Sequence, residues 1–216
     1  MSRELREQLI ETAVALNASG INRGTSGNLS VRMDGGFLIT PAAMNYSELV
    51  PEDIVAMNLE GEWEDSVKPS SEWRFHRDIY RHRADARAIV HAHPVFCATL
   101  ACLGKPIPAF HYMVAVAGGR DIRCAAYATF GTQELSDHVL AALTDRKACL
   151  MANHGLLCLE HDLPRALALA IEIEQLAQVY HQCLAVGEPV ILDDEEMTRV
   201  LEKFKHYTST PTFRRP

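Results

Sequence analysis

The sequence predicts an α/β protein with a single domain, residues 1–216, in which a central mixed β-sheet is flanked by helices. The 216 residues are 48% hydrophobic, which is typical of a chain that folds around one sizeable core. Segments with helical and strand-like patterns alternate along the chain, which favours an α/β fold. A hairpin pattern near the start adds antiparallel strands, so the expected sheet is mixed.

The first predicted elements are an amphipathic helix and a hairpin. Apolar residues recur at helical spacing from residue 5 to residue 16, and Gly20 is suited to the position just after the helix end. Residues 28–32 and 37–40 read as strands on either side of a turn that contains Asp34-Gly35-Gly36.

The middle of the chain predicts a helix, a buried strand and a second helix. The first helix is expected over residues 70–80, because Ser70 and Ser71 are good N-caps. The short apolar segment 88–91 predicts the strand, and residues 94–103 predict the helix that follows it.

The last third of the chain predicts three helices and one strand. Helices are expected over residues 132–143, from Asp162 to Gly187, and from Asp193 or Asp194 to about Tyr207. Residues 148–152 read as a strand, and residues from about 208 to 216 as a C-terminal tail.

The charge pattern and the cysteines limit the classes of function. The net charge is −7 and no block of lysines and arginines occurs, which argues against nucleic acid as a partner. The charged N-terminus predicts no secretory signal, and no apolar stretch is long enough to predict a membrane span. Six scattered cysteines are typical of a reduced, cytoplasmic protein.

Three histidines stand at predicted strand ends. His91 and His93 are two residues apart, so strand alternation directs both imidazoles to one point. His154 follows a second predicted strand, and Gly155 allows a close turn of the backbone beside it. Three histidines with an open position are typical of a catalytic zinc site, although buried histidines also occur simply as hydrogen-bonding groups.

Glu72 is expected in the first turn of its helix, close to this histidine set. The helix dipole and a nearby cation both favour the ionised carboxylate. Glu72 could therefore be a fourth metal ligand, a base, or a glutamate that only stabilises its helix. The other helical histidines, His76 among them, read as ordinary side chains.

Two segments are suited to an anion. The glycine-framed loop 24–28 is rich in hydroxyls and amides, and such loops can offer backbone N–H groups to an oxyanion. Ser70 and Ser71 add hydroxyls at a helix N-terminus, where phosphate is often bound. Both segments have simpler interpretations as a turn and a cap.

The residues of these motifs resemble the class II aldolase/adducin-like family, and within it the branch that cleaves L-fuculose 1-phosphate. The matching stretches are GTSGNLSVR at 24–32, LITP at 38–41, PSSEWRFH at 69–76, HAHP at 91–94, HYMVAVAGG at 111–119, AYATFGTQELSDH at 126–138 and NHG at 153–155. The resemblance implies a mixed sheet flanked by helices and a homotetramer with active sites between subunits.

The resemblance also implies a role for each matched site residue. His91, His93 and His154 are implied metal ligands for zinc, or for manganese, iron or cobalt, with Glu72 as both ligand and catalytic acid/base. Tyr112 is the implied tyrosine that a neighbouring subunit supplies, and Tyr207 the implied tyrosine that closes over the site. The implied phosphate-binding residues are Thr25, Gly27, Asn28, Ser70 and Ser71.

The implied activity is the reversible cleavage of a ketose 1-phosphate to dihydroxyacetone phosphate and an aldehyde. A 5-deoxyribulose or methylthioribulose 1-phosphate is an alternative substrate, and a dehydratase, epimerase or decarboxylase is an alternative enzyme on this scaffold. A binding module without catalysis is disfavoured by the complete set of histidines. One departure concerns the phosphate site: Ala42-Ala43 stands where the branch that cleaves L-fuculose 1-phosphate typically has Thr-Gly, which removes a hydroxyl.

Overall fold

A computed structural model of the chain describes residues 2–64 and 66–207. Its strands are β1 (Asn28–Met33), β2 (Gly36–Ile39), β3 (Val55–Asn58), β4 (Ala88–Ala92), β5 (Arg123–Ala125), β6 (Ala148–Met151) and β7 (Gly155–Glu160). Its α-helices are α1 (Ser2–Ala18), α2 (Trp73–His82), α3 (Val95–Cys102), α4 (Gln133–Ala142), α5 (Leu163–Val186) and α6 (Asp194–Tyr207). Short 3₁₀ helices cover Tyr46–Glu48, Pro51–Asp53 and Tyr112–Ala117.

The strands form one sheet in the order β3-β2-β1-β4-β7-β6-β5. The β5–β6 pair is parallel, and the other neighbouring pairs are antiparallel. The expected mixed sheet is therefore confirmed. No described helix is long and apolar enough to cross a membrane.

Alternation along the strands divides the core into two layers, one on each face of the sheet. In β4, Val90 packs in the layer that contains α1, α3 and α5. The neighbouring Ile89 packs in the layer that contains α2 and α4. Helices on both faces follow from strands whose side chains are apolar in both directions.

The predicted helix ends agree with the structure where a side chain caps the helix. The Asp162 carboxylate accepts a hydrogen bond from the Arg165 N–H at 2.8 Å, at the start of α5. Thr132 does the same for the Leu135 N–H at 3.2 Å, at the start of α4. The predicted hairpin closes through the Met33–Gly36 pair, so its turn is the two-residue Asp34-Gly35.

The prediction for the start of α2 is wrong by about two residues. The helix begins at Trp73, and Glu72 occupies the N-cap position instead of the first turn. The Ser70 hydroxyl accepts from the Glu72 N–H at 3.3 Å, so this serine orders the residues just before the helix. The strands β3, β5 and β7 are not predicted by the sequence patterns.

Candidate functional site

The pairing of β4 with β7 brings the three predicted histidines together. His91 lies in β4, His93 follows just after its end, and His154 immediately precedes β7. The two strands are antiparallel, with Ala92 opposite Leu156. The end of β4 therefore meets the start of β7, and the histidines share one end of the sheet.

Glu72 reaches the same point from the N-terminus of α2. Its Oε2 lies 3.2 Å from His91 Nε2, and its Oε1 lies 3.2 Å from His154 Nε2. The Nε2 atoms of His93 and His91 are 3.0 Å apart. The ligand atoms of the three histidines all lie within 4.8 Å of one another. Three segments that are distant in sequence thus bring four donor side chains together.

Two glycines make this convergence possible. A Cβ at Gly155 would lie 2.5 Å from the Ala92 carbonyl oxygen and 2.8 Å from His93 Cδ2. A Cβ at Gly27 would lie 2.5 Å from the His91 carbonyl oxygen, and Gly27 also has a φ of +75°. Both backbones approach β4 too closely for any side chain.

Hydrogen bonding and burial both favour metal binding by the imidazoles. His91 Nδ1 donates to the Leu156 carbonyl at 2.9 Å, which turns Nε2 towards the other donors. Burial, together with the neighbouring imidazoles, lowers the pKa of His93 and of His154 to about 4. Neutral imidazoles can ligate a cation without losing a proton.

The Glu72 carboxyl is ionised. Burial opposes its ionisation, but His91, His154 and the Asn28 amide outweigh burial and hold the pKa well below its usual range. Its Oε1 is buried and has no hydrogen-bond partner among the described residues. An anionic carboxylate that faces three imidazoles, two of them with lowered pKa, fits a divalent cation.

An open cavity of about 420 Å³ lies against this cluster, within the usual size range of small-molecule sites. His93, His154 and Glu72 line it. All five predicted phosphate-binding residues also line it: Thr25, Gly27, Asn28, Ser70 and Ser71. No lysine or arginine is among the described residues of its lining, so an anion here would be held by neutral donors and the N-terminus of α2.

The departure at Ala42-Ala43 also lies in the cavity wall. Ala43 has a φ of +56°, a left-handed conformation that favours glycine. The backbone thus keeps the shape that glycine would favour, at a cost of roughly 1–2 kcal/mol for a residue with a Cβ.

The two predicted tyrosines lie apart from these residues. Tyr112 is 52% exposed and lines a separate apolar groove with Phe204, not the cavity beside Glu72. The Tyr207 side chain lies outside the described residues. Neither position tests the role that the resemblance implies.

Residues on two sides of the site are not predicted by the sequence patterns. Tyr127 and Phe130 line the cavity and are 60% and 65% exposed. His76, read as an ordinary helical side chain, is fully buried and hydrogen-bonded to Asn28. The signal for these residues was their place in the matched stretches at 69–76 and 126–138.

Comparison with known proteins agrees with this geometry. Residues 7–181 match the family described as Class II Aldolase and Adducin N-terminal domain. A 5-methylthioribulose-1-phosphate/5-deoxyribulose-1-phosphate aldolase of Rhodospirillum rubrum is 57% identical, over 94% of this chain and 92% of the relative. An L-fuculose phosphate aldolase of Escherichia coli (strain K12) is 50% identical, over 94% of this chain and 95% of the relative. A solved L-fuculose 1-phosphate aldolase superposes with a TM-score of 0.91 at 42% identity, covering 94% of this chain and 96% of that structure.

The chain belongs to the class II aldolase and adducin family. The predicted resemblance and fold class are confirmed. Within the family, the chain is a class II aldolase, an enzyme that cleaves a carbon–carbon bond.

Proposed function

We propose that the substrate is a ketose 1-phosphate, which is cleaved reversibly to dihydroxyacetone phosphate and an aldehyde with an apolar end. The carrying observation is the Glu72 carboxylate, which faces three imidazoles at the base of a cavity lined with hydroxyls. L-Fuculose, 5-deoxyribulose and 5-methylthioribulose 1-phosphates all fit this description. Relatives named for each of these activities match along most of the chain.

We assign the phosphate to the end of the cavity formed by residues 25–28 and the two serines before α2. Hydroxyls and backbone N–H groups there can donate to a phosphate, and the positive end of the α2 dipole favours its charge. At the mouth, the exposed rings of Tyr127 and Phe130 offer an apolar surface to the aldehyde part.

His91, His93 and His154 would hold a divalent cation, zinc or one of manganese, iron and cobalt, with Glu72 as the fourth ligand or as the base beside it. A bound cation supplies Lewis-acid stabilisation of negative charge on the substrate oxygens. Glu72 moves the proton of the dihydroxyacetone carbon, delivering it in cleavage and removing it in condensation. Such general acid/base catalysis contributes about 10²–10⁴-fold.

We further propose a homotetramer in which active sites lie between subunits. Tyr112 of a neighbouring subunit would then exchange the proton of the aldehyde oxygen, and Tyr207 would close over the site. The exposure of Tyr112 in the single chain supports this, because a buried ring could not reach a neighbour. Six free cysteines, three of them buried, support a reducing, cytoplasmic location.

The test is the release of dihydroxyacetone phosphate, with zinc present, from the three ketose 1-phosphates and from L-ribulose 1-phosphate. We expect release from at least one substrate and a loss of about 10²–10⁴-fold in the Glu72→Gln variant. Glu4→Gln is the control, since Glu4 lies in the first turn of the distant helix α1. No release by metal-loaded enzyme would sink the proposal and point to an epimerase, dehydratase or decarboxylase.

A further inference from the structure

A chain of buried polar side chains runs from Glu72 into the core between β1 and α2. Asn28 and Ser30 are two residues apart on β1, so both face α2. His76 and Tyr80 are four residues apart on α2, so both face β1. All four are at most 2% exposed. Burial of so many polar groups is costly unless each is hydrogen-bonded.

Every link of this chain is a hydrogen bond of 2.6–2.9 Å. Asn28 Nδ2 lies 2.9 Å from Glu72 Oε2, and Asn28 Oδ1 lies 2.6 Å from His76 Nε2. His76 Nδ1 lies 2.6 Å from the Ser30 hydroxyl, which lies 2.8 Å from the Tyr80 hydroxyl. The chain therefore continues from the carboxylate to the tyrosine without a gap.

The chemistry of the groups fixes the direction of each bond. The Glu72 carboxylate can only accept, so Asn28 must present its NH₂ group to Glu72 and its oxygen to His76. His76 is neutral, because burial lowers its pKa to about 3, and so it has one donor and one acceptor nitrogen. Its Nε2–H donates to Asn28, and its Nδ1 accepts from Ser30.

The remaining links follow from the same rule. The Ser30 hydroxyl donates its hydrogen bond to His76 Nδ1, so the Ser30 oxygen accepts a hydrogen bond from Tyr80. Burial raises the pKa of Tyr80, which keeps its proton available as a donor. All the donors thus point towards Glu72, and Tyr80 is the far end of the chain.

The two carboxylate oxygens of Glu72 consequently have different hydrogen-bonding environments. Oε2 is occupied by the Asn28 amide, which can only donate to it. Oε1 is buried 3.2 Å from His154 Nε2 and accepts no hydrogen bond from the described residues. We infer that His76 is a positioning residue that acts through Asn28 to hold Oε2 as an acceptor, and that Oε1 is the oxygen that exchanges the substrate proton.

This inference rests on the proposed role of Glu72 as the base. In the condensation direction, Oε1 forms an O–H bond as the C–H bond of dihydroxyacetone phosphate breaks, and the electron pair stays on the substrate. In cleavage the proton returns from Oε1 to the same carbon. His76 and Asn28 keep their own protons throughout.

The kinetic test separates positioning from stability. We would compare His76→Leu, His76→Gln and Ser30→Ala with the wild type. Ser136→Ala is a matched control, because Ser136 is also fully buried and its hydroxyl donates to Asp78 at 2.7 Å, outside this chain. The readouts are kcat, KM, metal content and the exchange of the dihydroxyacetone phosphate carbon proton with D₂O.

We expect His76→Leu to lower both kcat and the exchange rate about 10–100-fold, as for other residues that orient a metal-site side chain by hydrogen bonding, with KM unchanged. His76→Gln should recover most of the loss, since its amide N–H can replace Nε2–H. Ser136→Ala should leave both rates unchanged. Where His76→Leu does not fold, Ser30→Ala carries the test and should lower both rates.

A second readout needs neither metal nor activity. Nitrogen-15 NMR of the histidine rings in the metal-free protein should show His76 as the Nε2–H tautomer. Ser30→Ala should shift it towards a mixture of tautomers, because the Nδ1 acceptor loses its donor.

Several outcomes would overturn the inference. They are an Nδ1–H tautomer in the wild type, unchanged rates in a stably folded His76→Leu or in Ser30→Ala, and an equal loss of rate in Ser136→Ala. If Glu72→Gln itself keeps the exchange activity, the proposed function fails instead, and the two failures are therefore distinguishable.

Discussion

A single hydrogen bond to the backbone orients the imidazole of His91. Its Nδ1–H donates to the Leu156 carbonyl, and its Nε2 therefore faces His93 and Glu72, where a metal would bind. A hydrogen bond from the nitrogen that does not bind the metal fixes both the tautomer and the ring orientation of a metal-binding histidine. The pairing of β4 with β7 thus contributes to the chemistry of the site as well as to its position.

Removal of one imidazole should abolish tight metal binding. His93 is the most exposed of the three, so His93→Ala leaves the core packing largely intact while removing a ligand. We expect near-stoichiometric metal in the wild type after dialysis and little in the variant, measured by plasma mass spectrometry. His161→Ala, at an exposed turn, is the control and should keep its metal. Equal metal content in both variants would contradict the ligand assignment.

The sequence was sufficient to predict the four side chains that can hold a metal. It was not sufficient to predict the hydrogen-bonded series of side chains that leads from Glu72 into the core. The donors stand in short motifs whose local spacing already suggests ligation. Ser30, His76 and Tyr80 gain their meaning only when β1 packs on α2, because each segment alone shows ordinary strand or helix spacing. Contacts between residues 46 to 50 positions apart cannot be read from periodicity.

At the scale of elements, local signals predicted the helices better than the strands. The helices α1, α4 and α5 carry clear caps or glycine stops, which a sequence displays directly. The strands β3, β5 and β7 were missed for two reasons. Of these, β5 has three residues and β3 has four, while β7 is buried on both faces and shows no alternation.

The start of α3 depends on a carboxylate from another helix. Glu174 in α5 accepts from the Phe96 N–H and the Cys97 N–H, each at 2.9 Å. Pro94 occupies the N-cap position and offers no side-chain cap of its own. Since α3 begins two residues after His93, Glu174 also anchors the segment that leaves the site.

Glu174→Ala should therefore destabilise the protein by about 1–2 kcal/mol, because two N–H groups in the first turn of α3 lose their acceptor. The free energy of unfolding in urea is the measurement. Glu172→Ala removes the same charge from the same helix and serves as the control. A loss as large in Glu172→Ala would show that the charge of α5 matters and the cap does not.

At the scale of the whole molecule, the sheet separates two kinds of surface. The cavity lies at one end of the sheet, where β1, β4 and β7 meet the start of α2. The groove around Phe110, Tyr112 and Phe204 is mostly apolar and lies elsewhere on the chain. If active sites lie between subunits, this second surface is where one chain would contribute residues to the active site of its neighbour.

Mixing two inactive variants should restore activity if sites lie between subunits. Glu72→Gln and Tyr112→Phe should each be nearly inactive alone. In mixed tetramers assembled at random, about a quarter of the sites would combine an intact Glu72 with an intact Tyr112 of a neighbour. Activity after joint refolding is the measurement, with sedimentation to confirm four chains per particle. An inactive mixture of tetramers would show that Tyr112 does not act across subunits.

The wide separation in sequence of the four metal-facing side chains also orders events during synthesis. Glu72, His91 and His93 leave the ribosome well before His154, and β4 cannot complete its sheet neighbours until β7 emerges. A nascent chain folds progressively from its N-terminus at about 5–20 residues per second. The last histidine therefore arrives several seconds after the first, and the cation can be captured tightly only by a chain that has already joined the two halves of its sheet.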